Sequence, residues 1–195
     1  MGANNLADEQ KLPAEIAARA LAPAEQSGSL VARGLAAIKG RQRTISVEAE
    51  TSFRRGMGAE ECGHLGEAWE WYRKAADQGH AAAQFKLGFI CHVEAGMYGD
   101  PTYDSEAIPW FRLAAEQGYA EAQLTLGIMY AHGQGIPQDY VQAHMWFDRC
   151  VRSASNTEEH DQAVERRDAI AARMTPAQIA EAQRLVREWA ESHAS

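Results

Sequence analysis

The chain has 195 residues, of which 46% are hydrophobic, and it carries a formal net charge of −8. This length and composition suit a single domain with its own core, and no segment of the sequence is apolar for long enough to cross a membrane. Three cysteines, an odd number without metal or redox spacing, argue against a disulfide framework and favour a cytoplasmic protein.

The first forty residues carry little information. We expect residues 1–40 to form an N-terminal segment that is partly disordered, with one or two short helices near 13–22 and 29–38. The second of these is expected to pack on the repeats as a cap. The polar start of the chain, and Arg19 within residues 16–22, argue against a signal peptide.

Charge is distributed unevenly along the sequence. Residues 33–55 contain six basic and two acidic residues, a net charge of +4, whereas residues 56–121 contain four basic and eleven acidic residues, a net charge of −7. The acidic stretch is a poor match for nucleic acid. The short basic run is typical of a solvated linker, so we expect no nucleic-acid partner.

A helix is predicted from residue 44 to about residue 61, with Ser46 as its N-cap and Phe53 and Met57 among its apolar positions. After it, one apolar pattern recurs three times, with the second copy 39 residues after the first and the third 36 residues later. Each copy follows i, i+3, i+4, i+7, i+8, which is the stripe of an amphipathic helix. The stripes comprise Ala68, Trp71, Tyr72, Ala75 and Ala76; Ala107, Trp110, Phe111, Ala114 and Ala115; and Ala143, Trp146, Phe147, Cys150 and Val151. We expect all three tryptophans to be largely buried.

A second helix follows each of the first two stripes. Gln78-Gly79 and Gln117-Gly118 place glycine where a helix C-terminus favours a left-handed residue. Beyond them come matching signatures at Ala83 to Gly88 and Ala122 to Gly127. Helix pairs repeated with a period in the mid-thirties indicate a helical solenoid, in which each pair buries its apolar face by stacking on the next.

The repeated motif is Ala-x-x-Trp-[Tyr/Phe]-x-x-Ala-Ala-x-Gln-Gly-x-Ala-x-Ala-Gln-x-x-Leu-Gly, at 68–88 and again at 107–127. It resembles the SEL-like repeat family, bacterial type, of the tetratricopeptide-repeat superfamily, and residues 130–139 are similar to the loop between that family's two helices. The resemblance implies an all-α fold, a right-handed solenoid of helix pairs over residues 41–195. Its repeats are expected at about 46–79, 80–118 and 119–153.

One loop departs from the repeat. The segment from Gly96 to Asp104 has three residues more than its successor in the next repeat. It is either a binding protrusion or a tolerated surface insertion, and the insertion is the preferred interpretation.

Two capping helices are predicted at about 156–173 and 176–192. Asn156 with Glu159 resembles a capping box, and Thr175, Pro176 and Gln178 mark the next helix start. The last segment resembles the closing helix of bacterial SEL-like arrays, which covers the apolar face of the final repeat.

Catalytic and cofactor motifs are absent from the sequence. Neighbouring helical residues do not face each other, so Cys91 and His92 do not form one site, and the seven histidines lack ligand spacing. Cys91 and Cys150 are expected to be small buried residues. We therefore predict no cofactor, no metal and no enzymatic activity. The alternative is the hydrolase-type activity attributed to some cysteine-rich SEL-like proteins, although no nucleophile with a base is found here.

In the tetratricopeptide superfamily the first helix of each pair lines a concave face. The resemblance therefore implies a non-catalytic scaffold or adaptor that binds another protein or peptide segment, amphipathic or basic, with no membrane contact. The alternative is that the chain's own terminal helices cover part of this face, and the oligomeric state is open. The implied protein-binding residues are Phe53, Met57, Glu60, Phe85, Phe89, His92, Leu124, Ile128 and His132.

Overall fold

The computed structural model describes residues 46–98 and 101–193, without the side chains of 94–103 and 193. This part of the chain contains helices and no strand, which confirms the all-α prediction. None of these helices combines the length and the apolar character needed to cross a membrane. The helices predicted near 13–22 and 29–38 lie outside the described residues. The eight helices are α1 Val47–Glu61, α2 Leu65–Asp77, α3 Ala81–Tyr98, α4 Pro101–Glu116, α5 Ala120–His132, α6 Tyr140–Ser153, α7 Thr157–Ala171 and α8 Pro176–His193.

The described chain forms two compact units, 46–79 and 80–193. In the first unit α1 packs on α2. Helix α1 begins at Val47, three residues after the predicted start, because the Ser46 hydroxyl accepts a hydrogen bond from the Ala49 amide at 3.0 Å and caps the helix. The turn to α2 passes through Gly63, whose φ of +78° favours glycine.

The second unit contains two helix pairs followed by two capping helices. Helix α3 packs on α4, α4 on α5, and α5 on α6, while α6 also contacts α7 and α8. Both capping helices contribute to the core, through Ile170 and Val186. They therefore cover the last repeat, as a solenoid end requires.

The predicted N-caps of both capping helices are confirmed. The side chain of Asn156 accepts a hydrogen bond from the Glu159 amide at 2.8 Å. Thr175 and Gln178 form a reciprocal capping box, in which the Gln178 amide donates to Thr175 Oγ1 at 3.3 Å and the Thr175 amide donates to Gln178 Oε1 at 2.9 Å.

The three tryptophans of the stripes differ in how deeply they are buried. Trp146 is 3% exposed, whereas Trp71 and Trp110 are of intermediate burial. The fully buried ring in each stripe belongs instead to the next residue. The most buried aromatic ring of each predicted stripe is thus the residue after the tryptophan, and Trp71 and Trp110 lie at the edge of the stripe. These buried rings belong to Tyr72, Phe111 and Phe147.

The prediction of a loop from Gly96 to Asp104 is wrong. Helix α3 continues to Tyr98 and α4 already begins at Pro101, with residues 99 and 100 outside the described part of the chain. Proline is well tolerated in the first turn of a helix, where its missing N–H group is not needed. The described residues of this segment therefore lengthen two helices.

Candidate functional site

The exposed apolar surface of the second unit lies mainly on α3. Phe89 is 46% exposed and Val93 is 43% exposed, four residues apart on one helix face. On α5, Leu124 and Ile128 are half-buried and pack against the same core cluster that supports Phe85. Helices α3 and α5 thus each carry predicted binding residues at the edge of the core, where side chains are partly or largely exposed.

Phe85 is half-buried, because it belongs to an aromatic cluster. Its ring centroid lies 5.3 Å from that of Tyr119, 5.6 Å from Phe111 and 6.2 Å from Phe89, within the range of favourable aromatic pairs. Burial, followed by the nearby Glu121 carboxylate, raises the pKa of Tyr119 to about 12. Phe85 therefore packs between the core and Phe89, and Phe89 remains at the surface.

The polar residues of this face differ in their surroundings. His92 Nδ1 lies 2.6 Å from Asp104 Oδ1, which fixes the imidazole against α4, and its ring meets Phe111 edge-on. His132, at the end of α5, is exposed. Among residues whose side chains are described, no group of three or more His, Cys, Asp or Glu residues is arranged to hold a metal ion. The histidines thus form a polar border to the apolar surface.

The predicted residues of the first unit are on α1. Phe53 is half-buried, with its ring 5.7 Å from that of Tyr72, whereas Met57 is 39% exposed. The carboxylate of Glu60 accepts a short hydrogen bond from the Tyr72 hydroxyl, and burial together with this carboxylate raises the pKa of Tyr72. Glu60 is therefore held by the repeat itself, and Met57 is the more accessible contact.

A charged cluster in the second unit was missed by the sequence analysis. The Arg149 side chain is 2% exposed, and its guanidinium lies 4.3 Å from the ring centroid of Trp146 and 3.8 Å from that of Trp189. It donates to the Ala115 carbonyl at 3.2 Å and to Glu116 at 3.4 Å. Trp189 Nε1 donates to the same Glu116 carboxylate at 3.0 Å. Arg149 thus joins α4, α6 and α8.

The electrostatics of this cluster follow from its burial. Removal from water lowers the pKa of Arg149, and the Glu116 carboxylate acts in the opposite direction. Two buried donors of the cluster, Arg149 Nε and Trp146 Nε1, have no hydrogen-bond acceptor among the described residues. A cavity of about 670 Å³ adjoins the cluster, and Trp146, Arg149 and Trp189 are part of its wall.

One sequence signal points to this cluster. Arg149 occupies the position that Leu113 holds 36 residues earlier in the preceding copy, and Leu113 is buried. A charged residue at a buried position of the repeat needs partners of its own. That departure from the pattern was available from the sequence, but its partner Trp189 lies outside the repeats.

Comparison with known families agrees with this geometry. The Sel1 repeat family model matches residues 65–80, 81–119 and 120–149. The chain carries Sel1 repeats. One solved structure with a similar fold, at a TM-score of 0.60, is that of c5321, a protective antigen present in uropathogenic Escherichia coli strains that displays an SLR fold. It is 33% identical to this Sel1-repeat chain over 76% of the chain, which spans only 31% of the length of c5321.

A second solved structure is a Sel1 repeat protein from Oxalobacter formigenes. It is 25% identical, the match covers 72% of this chain and 63% of that protein, and the TM-score is 0.49. A comparison with curated proteins finds no match. The SEL-like resemblance of the sequence is therefore confirmed through the repeats and the SLR fold.

Proposed function

We propose that this Sel1-repeat chain is a non-catalytic scaffold or adaptor that binds a segment of another protein through the exposed faces of α3 and α5, the first helices of the two pairs in the second unit. The observation that carries the proposal is the exposure of Phe89 and Val93 on α3, above the rigid Phe85 cluster. Large apolar side chains exposed together on one helix face are typical of interaction sites. Sel1 repeats in general are protein-interaction scaffolds, which supports the same assignment.

The chemistry of the surface favours an amphipathic segment with basic residues. Phe89, Val93, Leu124 and Ile128 offer apolar contacts for one side of such a segment. Residues 56–121, which include α3, carry a net charge of −7, so basic residues flanking the apolar contacts would be attracted. An acidic segment would be repelled by the same charge.

The cysteines support a binding role over a hydrolase role. Cys91 and Cys150 are buried and all three cysteines are free thiols. Burial raises the pKa of Cys150 to about 11, whereas a nucleophilic cysteine needs a lowered pKa and access to substrate. Three free thiols are also the basis for proposing a cytoplasmic location. Turnover of esters or β-lactams by the wild type, abolished in Cys62→Ser, would favour the hydrolase alternative.

The test is a quantitative pull-down that compares three forms of the full chain by mass spectrometry. We expect Phe89→Ser to lose a partner that the wild type recovers, while its melting temperature stays within a few degrees, because surface substitutions typically change stability by about 0.5 kcal/mol or less. The matched control is Leu65→Ser, which removes an apolar side chain of 55% exposure from the first residue of α2, a helix outside the proposed binding helices. Equal recovery by wild type and Phe89→Ser would contradict the proposal.

A further inference from the structure

The cavity beside Arg149 contains hydrogen-bond donors that the fold does not use. Arg112 Nη2 donates to the Tyr130 hydroxyl at 2.8 Å, and within the described part of the chain no carboxylate lies within ion-pair distance of Arg112. The proton of the Tyr130 hydroxyl has no acceptor there, and neither do the side-chain amide hydrogens of Gln142. All three side chains line the cavity.

Arg112 has no ion-pair partner in the described part of the chain, and both carboxylates that line the cavity are engaged elsewhere. Glu116 is engaged by Arg149 and Trp189, and Asp139 accepts hydrogen bonds from the Val141 and Gln142 amides at the start of α6. Arg112 is exposed and has only a neutral partner. A single unpaired guanidinium favours a monoanion over a dianion such as a phosphate monoester.

The remaining wall of the cavity is mainly apolar and rigid. It is formed by the indole rings of Trp146 and Trp189 together with Ile136, Met145 and Leu185. Arg149 holds both indoles in place by stacking between them. The volume of about 670 Å³ lies within the usual range for small-ligand sites, which combine apolar walls with a few polar anchors.

We propose that this cavity binds a carboxylate group carried on an apolar or aromatic body. The carboxylate pairs with the Arg112 guanidinium and accepts hydrogen bonds from Tyr130 and Gln142, while the body lies against the indoles. Such a group occurs in free aromatic acids and at the C-terminus of a peptide that ends in an apolar residue. The cavity is lined by residues of α4, α5, α6, α8 and the loop before α6, and none of its lining residues belongs to the surface around Phe89.

The test uses the full chain with 3-phenylpropionate as the probe and 3-phenylpropanamide as its uncharged counterpart. Binding is followed by calorimetry and by the indole N–H resonances of Trp146 and Trp189. We expect the acid to bind at millimolar concentration and to shift these resonances, and the amide to bind at least about tenfold more weakly, as loss of a charged hydrogen bond implies.

Two variants test whether Arg112 is the residue that binds the carboxylate. Arg112→Leu is expected to weaken binding of the acid by about tenfold or more. Arg152→Leu, on an exposed side chain paired with Asp148 and outside the cavity, is expected to leave it unchanged. The proposal is overturned if the acid does not bind, if acid and amide bind equally, or if Arg152→Leu weakens binding as much as Arg112→Leu.

A second comparison identifies the source of the carboxylate. An acetylated pentapeptide that ends in Phe is titrated with a free and with an amidated C-terminus. Tighter binding of the free-acid peptide than of 3-phenylpropionate supports the proposal and assigns the site to a protein C-terminus, whereas tighter binding of 3-phenylpropionate supports it and assigns a small acid. Equal binding of the two peptide forms would exclude a protein C-terminus as the source and leave a small acid as the ligand.

Discussion

Gly88 and Phe111 are so close that a side chain at position 88 would force the phenylalanine ring to shift. A Cβ atom at this glycine would lie 2.8 Å from both Cδ1 and Cε1 of the phenylalanine ring. The same relationship joins Gly56 to Tyr72, at 2.6 Å, and Gly127 to Phe147. The Leu-Gly signature of the repeat therefore exists because the first helix of each pair must accept a buried aromatic ring from the second.

The first prediction concerns this contact. Gly88→Ala is expected to lower the free energy of unfolding by about 1–3 kcal/mol, because the ring must shift in a packed core. Gly58→Ala is the matched control, since Gly58 is helical and a Cβ there meets nothing within 4 Å. That change is expected to raise stability by up to about 1 kcal/mol through helix propensity. Urea unfolding measures both, and a stable Gly88→Ala protein would contradict the close contact.

The second prediction separates the tryptophans. Trp146→Ala is expected to cost about 3–5 kcal/mol, because it opens a cavity in the core. Trp110→Ala removes a half-buried ring and is expected to cost about 1–2 kcal/mol. Denaturant unfolding of the two variants compares them directly. Equal losses of unfolding free energy would contradict the prediction, because they would mean that Trp110 and Trp146 contribute equally to the core.

Periodicity predicted the helix pairs, the glycine stops and the caps, because these depend on residues close together in the sequence. Gly118 has a φ of +86°, and Thr175 caps α8 as expected. Periodicity did not predict which tryptophan is buried. That depends on α8, whose Trp189 shares the Arg149 guanidinium with Trp146.

The proposed binding surface was predicted only in part. Phe89 is exposed as expected, but Phe85 is fixed by Phe111 and Tyr119, and both contacts require the tertiary fold. A substitution at Phe85 would change both the affinity for a partner and the stability of the fold. The binding test therefore uses a substitution at Phe89 alone. The cavity at Arg112 could not be predicted, since it brings together α4, α5, α6, α8 and the loop before α6.

The third prediction concerns acid pH. His144 is buried, and burial lowers its pKa below the ordinary value of 6.5. Its folded form stays neutral while the unfolded chain takes up a proton, so this contribution to stability is present above about pH 6.5 and is lost as the pH falls below it. We expect the free energy of unfolding to decline at acid pH. The decline should be shallower in His144→Gln than in the wild type, and equal profiles for the two proteins would argue against the assignment to His144.

The fourth prediction concerns thiol reactivity. Cys62 is exposed, whereas Cys150 is buried and its thiol donates a hydrogen bond to the Ala120 carbonyl at 3.3 Å. Because the pKa of Cys150 is raised from 9.0 to about 11, little thiolate forms at pH 8. A thiol reagent should therefore modify Cys62 rapidly and the other two cysteines only on unfolding. Rapid loss of all three native thiols would contradict this burial.

The same shift predicts a loss of stability at alkaline pH. The folded chain holds the Cys150 proton more tightly than the unfolded chain does, so the contribution is complete below about pH 9 and is lost as the pH rises through about 11. Cys150→Ala should flatten the dependence of the unfolding free energy on pH in this window. An unchanged dependence would assign the alkaline loss to other groups, such as Tyr119.

The last prediction tests whether the shape of Arg149 matters as well as its charge. Arg149→Lys keeps the positive charge near Glu116, but an ammonium group has no planar face to stack on the two indoles and cannot reach both Glu116 and the Ala115 carbonyl with a rigid fork. We expect a loss of about 2 kcal/mol in urea unfolding, since one charge-assisted hydrogen bond and the stacking are lost. The control is Arg152→Lys, whose side chain is 65% exposed in its pair with Asp148 and should change stability by about 0.5 kcal/mol or less. Near-ultraviolet circular dichroism should also lose the tryptophan signal of the stack in Arg149→Lys alone. If lysine preserved both stability and this signal, the charge would be sufficient, and the two indoles would be held by the packing of α8 and not by Arg149.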